Sequence, residues 1–303
     1  MALKDFNELI KKVQGFTAKK KVAVVVAEDE HTLEAVFQGV DNNIVDPILI
    51  GNKKAIKEVL DNLNRNIDHE NIIDICDHSE AAEKGVELIN IGKADFLMKG
   101  KIQTKDLLKA VVNREKGLRT GSIISHIAIN EVPTYHKILI TTDGGMNLNP
   151  SLEEKKQIID NAVNTLLNLG YEKPNVAVLA AVENVNPKMI ESVDAKALKN
   201  MNEDGVIKNC FVEGPISYDL TFSKEAAEIK GFSSPVVGEA DILVVPNITA
   251  GNILGKALIH SANAKMAGLI VGAKVPIVLT SRGSSAEEKY LSIALAAAVS
   301  KKD

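Results

Sequence analysis

The chain has 303 residues, 45% of them hydrophobic and 25% charged, with a formal net charge of −4. That length exceeds a single ordinary core and allows two domains of normal soluble composition. Net acidity argues against nucleic acid as the main partner, and aromatics at 4% without tryptophan leave little to stack on bases or sugars.

The N-terminal MALKDFNELIKKVQGF sets Leu3, Phe6, Leu9, Ile10 and Val13 on one face of an amphipathic helix. It has neither the apolar core nor the small-residue cleavage site of a signal peptide. No stretch approaches the ~18 uncharged apolar residues of a membrane span. The expectation is a soluble, cytoplasmic protein that does not engage membranes. Cys76 and Cys210 are far apart without metal spacing, and are expected to be buried thiols in a reducing compartment.

Short apolar runs then alternate with helix-length segments. Strands are expected at Val22–Ala27, Ile48–Ile50, Ile72–Ile75, Asp95–Met98, Ile123–Ile129, Lys137–Thr141, Val176–Ala181, Asn209–Val212, Asp241–Val245 and Ile277–Thr280. Between them, Ser151–Leu169 is a helix opened by a capping box of Ser151 with Glu154 and stopped by Gly170. Such alternation implies an α/β fold with a mainly parallel sheet covered on both faces. Only NEVPTYH separates Ile123–Ile129 from Lys137–Thr141, too little for a parallel crossover, so these two are expected to be antiparallel. A charged, glycine-containing link at Asn113–Gly121 suggests two α/β domains with a cleft between them: residues 1–121 plus 277–303, and residues 122–276.

In such folds ligands gather where parallel strands end. Asp95–Met98 leads into Lys99-Gly100-Lys101, and Lys101, Lys105 and Lys109 are expected on one helical face, a like-charge stripe that suits an anion. Thr141 leads into Asp143-Gly144-Gly145, primarily a turn signal. In PNITAGNILGK, Thr249 or Asn252 is expected to cap a helix starting near Ile253. Gly251 would allow close backbone approach, and Lys256 would sit in the first turns, where a cation opposes the helix dipole and so hints at a bound anion. The chain has only four arginines, Arg65, Arg114, Arg119 and Arg282. The last stands at the exit of the Ile277–Thr280 strand among Thr280, Ser281, Ser284 and Ser285. His126 and His136 are assigned to strand packing and loop hydrogen bonds, and no metal is expected. GxGxxG, Walker A, GxSxG and Cys/His pairings are all missing, which disfavours nucleotide hydrolysis, dinucleotide binding and acyl-enzyme chemistry. What remains is transfer chemistry run by positioning and electrostatics.

Seven stretches in order carry a resemblance: DFLMKGKIQTKDLLK, SHIAI, TTDGGMNLNPSLEEKKQIIDNAV, AVLAAVENVNPKM, EGPISYD, EADILVVPNITAGNILGKAL and AGLIVGAKVPIVLTSRGSSAEEKYLSIALA. Together they resemble the phosphate acetyl/butyryltransferases, the butyryl-transferring members in particular. The resemblance implies reversible acyl transfer between CoA and phosphate by direct attack in a ternary complex. It also implies two domains of the isocitrate/isopropylmalate dehydrogenase type and a homodimer or higher homo-oligomer. CoA and phosphate are then substrates, and no cofactor is expected. The family's serine–arginine pair falls on Ser281 and Arg282, and its proposed base, an aspartate in acetyl-transferring members, falls on Glu288. Substrate binding is expected at Lys99, Lys101, Thr104, Lys109, Asp143, Asn247, Gly251, Asn252 and Lys256. Lys109 stands where the family has an arginine, and Gly255 replaces a tyrosine, which would widen an acyl pocket. On local chemistry alone, Ser285-Ala286-Glu287-Glu288 is a capping box, with Glu288 reaching back to the Ser285 amide. Two other classes stay open: a metal- and NAD-dependent hydroxyacid dehydrogenase, and a non-catalytic protein that binds CoA or acyl phosphate.

Overall fold

The computed structural model describes residues 2–281 and 283–300. In chain order the elements are α1 (Phe6–Gln14), β1 (Lys20–Val25), α2 (Glu30–Asp41), β2 (Val45–Gly51), α3 (Lys53–Asn62), β3 (Ile72–Asp74), α4 (His78–Asn90), β4 (Phe96–Lys99) and α5 (Thr104–Val111). They continue with β5 (Ser125–Glu131), β6 (Leu139–Thr142), α6 (Leu152–Asn168), β7 (Asn175–Leu179), α7 (Ile190–Glu203), β8 (Phe211–Ile216), α8 (Tyr218–Phe222), α9 (Lys224–Lys230) and β9 (Ile242–Val244). Last come α10 (Ile248–Ala262), β10 (Lys265–Val271), β11 (Ile277–Val278) and α11 (Ala286–Val299). No helix among the described residues is long and apolar enough to cross a membrane.

The chain divides into two compact units. One holds Phe6–Ser122 and the described residues from Ala267 to Ser300, with strand order β3-β2-β1-β4-β11-β10. All neighbours in it are parallel except β11 with β10. Val22–Val25 of β1 are wholly buried, as a parallel strand covered on both faces requires. Each of the three valines contributes roughly 1.5–3 kcal/mol of apolar burial. Helix α11 is buried from Lys289 to Val299, packed by α1 and α2. It has no solvent face, which is why its run is apolar all round.

The other unit holds the residues up to Asp5 together with Ile123–Met266, with strand order β5-β6-β9-β7-β8. As expected from the short connection, β5 and β6 are antiparallel; the remaining neighbours are parallel. Leu3 lies outside α1: its amide donates to Tyr171 Oη at 2.9 Å and its carbonyl accepts from the Ile138 amide at 3.0 Å.

Several local expectations change. The return to the first unit comes at Ala267, ahead of 277, because Lys265–Val271 forms β10, a strand whose methionine, alanine and glycine weakened its β signal. Strand β8 runs on to Ile216 through Gly214-Pro215 rather than ending at Val212. Cys76 is exposed, against expectation, because it follows the short edge strand β3. Cys210 is buried, and burial pushes its thiol up to about 12.

Candidate active site

In the unit built around β1, strand β4 ends on Lys99, whose side chain is buried and whose Nζ lies 3.3 Å from the Gly100 carbonyl. The chain then turns tightly against the end of β1. The Gly100 amide donates to Val25 O at 2.9 Å and the Lys101 amide to Val26 O at 2.8 Å. A Cβ on Gly100 would lie 2.1 Å from Val26 O, so only glycine fits. Val26 itself has φ 58°, a left-handed conformation that a β-branched residue adopts only when its surroundings impose it.

Helix α5 starts at Thr104, so Lys101 precedes it and the expected three-lysine stripe is not one helical face. Lys105 and Lys109 are exposed on the helix, and Lys109 falls in its last turn, where the dipole favours a cation. Thr104 is half-buried as the first helical residue.

Strand β11 delivers the second group. Thr280 is buried, and Ser281 is exposed with its Oγ accepting from the Gly283 amide at 3.4 Å, which leaves its own proton to donate elsewhere. Arg282 lies outside the described residues. Ser285 caps α11, accepting from the Glu288 amide at 3.1 Å. The reciprocal half of the expected capping box is missing: Glu288 Oε1 accepts from Ser284 Oγ at 2.6 Å instead of from the Ser285 amide. Burial raises the Glu288 pKa above the usual glutamate range, against the smaller opposing effects of the Ser284 hydrogen bond and the nearby Lys289 charge. Lys289 was not singled out by pattern. It is buried, with Nζ 3.2 Å from Thr280 Oγ1. The signal that would have found it is one lysine opening an otherwise apolar helix.

In the other unit, Asp143 follows β6 and is buried. Its carboxylate accepts from the amides of Gly145 at 2.9 Å, Met146 at 2.8 Å and His126 at 3.2 Å, and from Asn147 Nδ2 at 2.5 Å. These four donors make Asp143 the hub of its own loop, which accounts for an aspartate there without a ligand. His126 packs on Gly145, burial lowers its pKa, and His136 Nε2 lies 3.0 Å from Glu239 Oε2, so both histidines have the structural places expected of them.

The loop rests on α10 through two glycines. A Cβ on Gly251 would come within 2.7 Å of Gly144 Cα. The cap of α10 is Asn247, whose Oδ1 accepts from the Ala250 amide at 3.0 Å, and not Thr249 or Asn252 as expected. The helix therefore starts at Ile248, and Gly251 and Asn252 are already inside it. Lys256 is exposed more than two turns in, beyond the reach of the N-terminal dipole, so the hint drawn from a misplaced cation falls away. Asn247 also lines a cavity of about 440 Å³, together with Asn149, Lys155, Ile190, Asp194 and Pro246.

The exits of β7 and β8 bring Glu183 and Ser217–Asp219 round Lys230, a cluster that spacing did not disclose. Lys230 Nζ lies 2.7 Å from Glu183 and 2.9 Å from Asp219, and Ser217 Oγ is within reach of both carboxylates, with one proton to donate to either. The Lys230 hydrogen bond holds Glu183 below its usual range, and the Ser217 hydrogen bond followed by that of Lys230 does the same for Asp219, so the one ammonium offsets part of the pair's negative charge.

Comparison with known proteins adds an independent view. The family model described as phosphate acetyl/butaryl transferase matches residues 5–84 and 77–297. The phosphate butyryltransferase of Clostridium acetobutylicum is 43% identical over 297 residues, covering 98% of each chain. The phosphate acetyltransferase of Thermotoga maritima is 45% identical over 278 residues, covering 92% of this chain and 94% of that one. Among solved structures, a branched-chain phosphotransacylase from Enterococcus faecalis V583 superposes with a TM-score of 0.81 at 36% identity, covering 92% of this chain and 99% of that one.

Proposed function

Because the chain belongs to the phosphate acetyl/butyryl transferase family, we propose that it moves a short-chain acyl group, butyryl by preference, reversibly between CoA and inorganic phosphate. Towards acyl-CoA, the CoA thiol gives its proton to the Glu288 carboxylate and the sulfur attacks the acyl carbon. A C–S bond forms, the C–O bond to the phosphoryl group breaks, and phosphate leaves with that electron pair. The reverse reaction runs through the same groups.

One observation on this chain carries the reading. The Glu288 carboxylate at the head of α11 is drawn away from its capping role and its pKa is raised by burial. A carboxylate with a raised pKa is a stronger base and a better match for a thiol of ordinary pKa about 8.5. The Ser281 hydroxyl, still free to donate, is assigned to an oxygen of the acyl phosphate. Arg282 is assigned to the phosphoryl group, because a guanidinium grips two phosphate oxygens at once and stays charged. Lys99, Lys101, Thr104 and Lys109 are assigned to anionic parts of the substrates, as are Asn247, Gly251, Asn252 and Lys256 in the other unit. No cofactor takes part. We take the enzyme to work in the cytoplasm as a homodimer or higher homo-oligomer.

The direct test adds CoA and butyryl phosphate to the purified protein and follows loss of free thiol. Absence of turnover with every short-chain acyl phosphate would overturn the reading. Arg282→Ala should lose about 10²–10³-fold in turnover while the fold, read by circular dichroism, survives; a near-normal rate would remove the arginine from the mechanism. A second reading, acetyl transfer, is favoured by the identity to the Thermotoga maritima protein. A kcat/KM series over acetyl-, propionyl-, butyryl- and branched acyl-CoA separates the two.

A further inference from the structure

The pattern Ser-x-Glu-Glu-Lys occurs twice, at Ser151–Lys155 and Ser285–Lys289. Both copies open a helix, with the serine as cap and the lysine turned into the protein. Lys155 is 5% exposed and Lys289 6%. The first has a buried counter-charge, with Asp194 Oδ2 at 2.6 Å from its Nζ. The second has one hydroxyl, Thr280 Oγ1 at 3.2 Å, and no carboxylate within 4.0 Å among the described residues. An ammonium carries three donors and a full charge, and burying it against a single neutral acceptor is strongly unfavourable. The neighbouring Glu288 does not complete it: adjacent helical residues do not face each other, and that carboxylate is engaged by Ser284.

Among the described residues, two donors on Lys289 are thus left for an anion, and the place is suited to one. Thr280 directly precedes Ser281, and the N-terminus of the 14-residue α11 brings its positive dipole end to the same turn. We propose that the Lys289 ammonium, oriented by Thr280 at the end of β11, binds phosphate and receives from it the counter-charge that Asp194 gives to Lys155. The proposal rests on the reading of the chain as a phosphate acyltransferase and adds to it a residue for the phosphate substrate. The same chemistry is offered by inorganic phosphate, by the phosphoryl end of an acyl phosphate and by the phosphates of CoA. Proximity to Ser281 favours the first two.

Lys289→Met keeps the volume of the side chain and removes the charge. The expected result is a KM for phosphate raised about 10–100-fold, the loss of one charge-assisted hydrogen bond, with the KM for butyryl-CoA within about twofold of the unchanged enzyme. An unmoved phosphate KM overturns the proposal, and so does a rise confined to butyryl-CoA, which would assign the lysine to the CoA phosphates. Should that variant not fold, the intact protein crystallised with inorganic phosphate decides. A phosphate oxygen at hydrogen-bond distance from Lys289 Nζ supports the proposal; phosphate elsewhere, or none, overturns it. Loss of the acyltransferase reading would show differently, as an unmodified enzyme inactive on every acyl-CoA.

Discussion

The heads of α6 and α11 carry the same letters and reach different ends. At Ser151, the capping box is complete: Glu154 Oε2 accepts from the Ser151 amide at 2.8 Å, and those hydrogen bonds lower the Glu154 pKa. At Ser285, the serine caps but the glutamate turns to Ser284, and burial raises its pKa. The local chemistry is shared, so the difference comes from the surroundings. Helix α6 keeps a face to solvent and lets its glutamate satisfy the helix end in water. Helix α11 is enclosed on all sides from Lys289 onward, and its glutamate is half-enclosed with it. The same pattern completes a capping box in one place and leaves a half-buried carboxylate with a raised pKa in the other.

Breaking the pairs should expose that difference. Asp194→Ala strands the Lys155 charge in the interior and should destabilise its unit by about 3–5 kcal/mol, read as a lowered denaturant midpoint, while leaving the phosphate KM alone. A loss below about 1 kcal/mol would mean that this pair behaves as a surface salt bridge. Glu288→Gln should lower turnover by about 10²-fold or more, as removal of a general base does, whereas Glu154→Gln should leave the rate unchanged. Equal rates in the two variants would return Glu288 to a capping role. Ser151→Ala and Ser285→Ala should each cost about 1 kcal/mol, the usual worth of an N-cap, and neither should alter the pH profile.

That profile has a definite sign. A base with a raised pKa gives an acid limb in kcat/KM above the ordinary glutamate range, and Glu288→Gln should abolish it. Stability moves the opposite way. Glu288 holds its proton more tightly folded than unfolded, so its contribution is full below the ordinary glutamate pKa and is lost as pH rises through the raised folded value. The Gln variant should therefore lose less stability than the parent between weakly acidic and neutral pH in urea titrations. A steeper loss would contradict burial as the cause.

Much of this was legible in residues alone. Alternating apolar runs and helices announced a parallel α/β fold, and NEVPTYH was too short for anything but an antiparallel pair, because chain length bounds a crossover. The family likeness lay in ordered motifs that needed no coordinates. Other features depended on distant segments. Asn247 takes the cap of α10, and the Gly144–Gly251 approach seats the preceding loop on that helix, a contact between residues far apart in sequence. The Asp143 hub gathers donors from β5 and from its own turn. Lys101 fell off its supposed stripe because the chain must first turn under Val26.

By itself, then, the sequence determined the fold class, the family and the order of chemical groups along the strand exits, because periodicity, turn residues and motif order are local properties. Tertiary structure alone decided which of two identical-looking glutamates completes its capping box and which turns to a neighbouring serine with its pKa raised, and which of two buried lysines has an acid for a partner. Burial and counter-charge are set by what packs around a side chain, and packing is not written in the five residues that share the pattern.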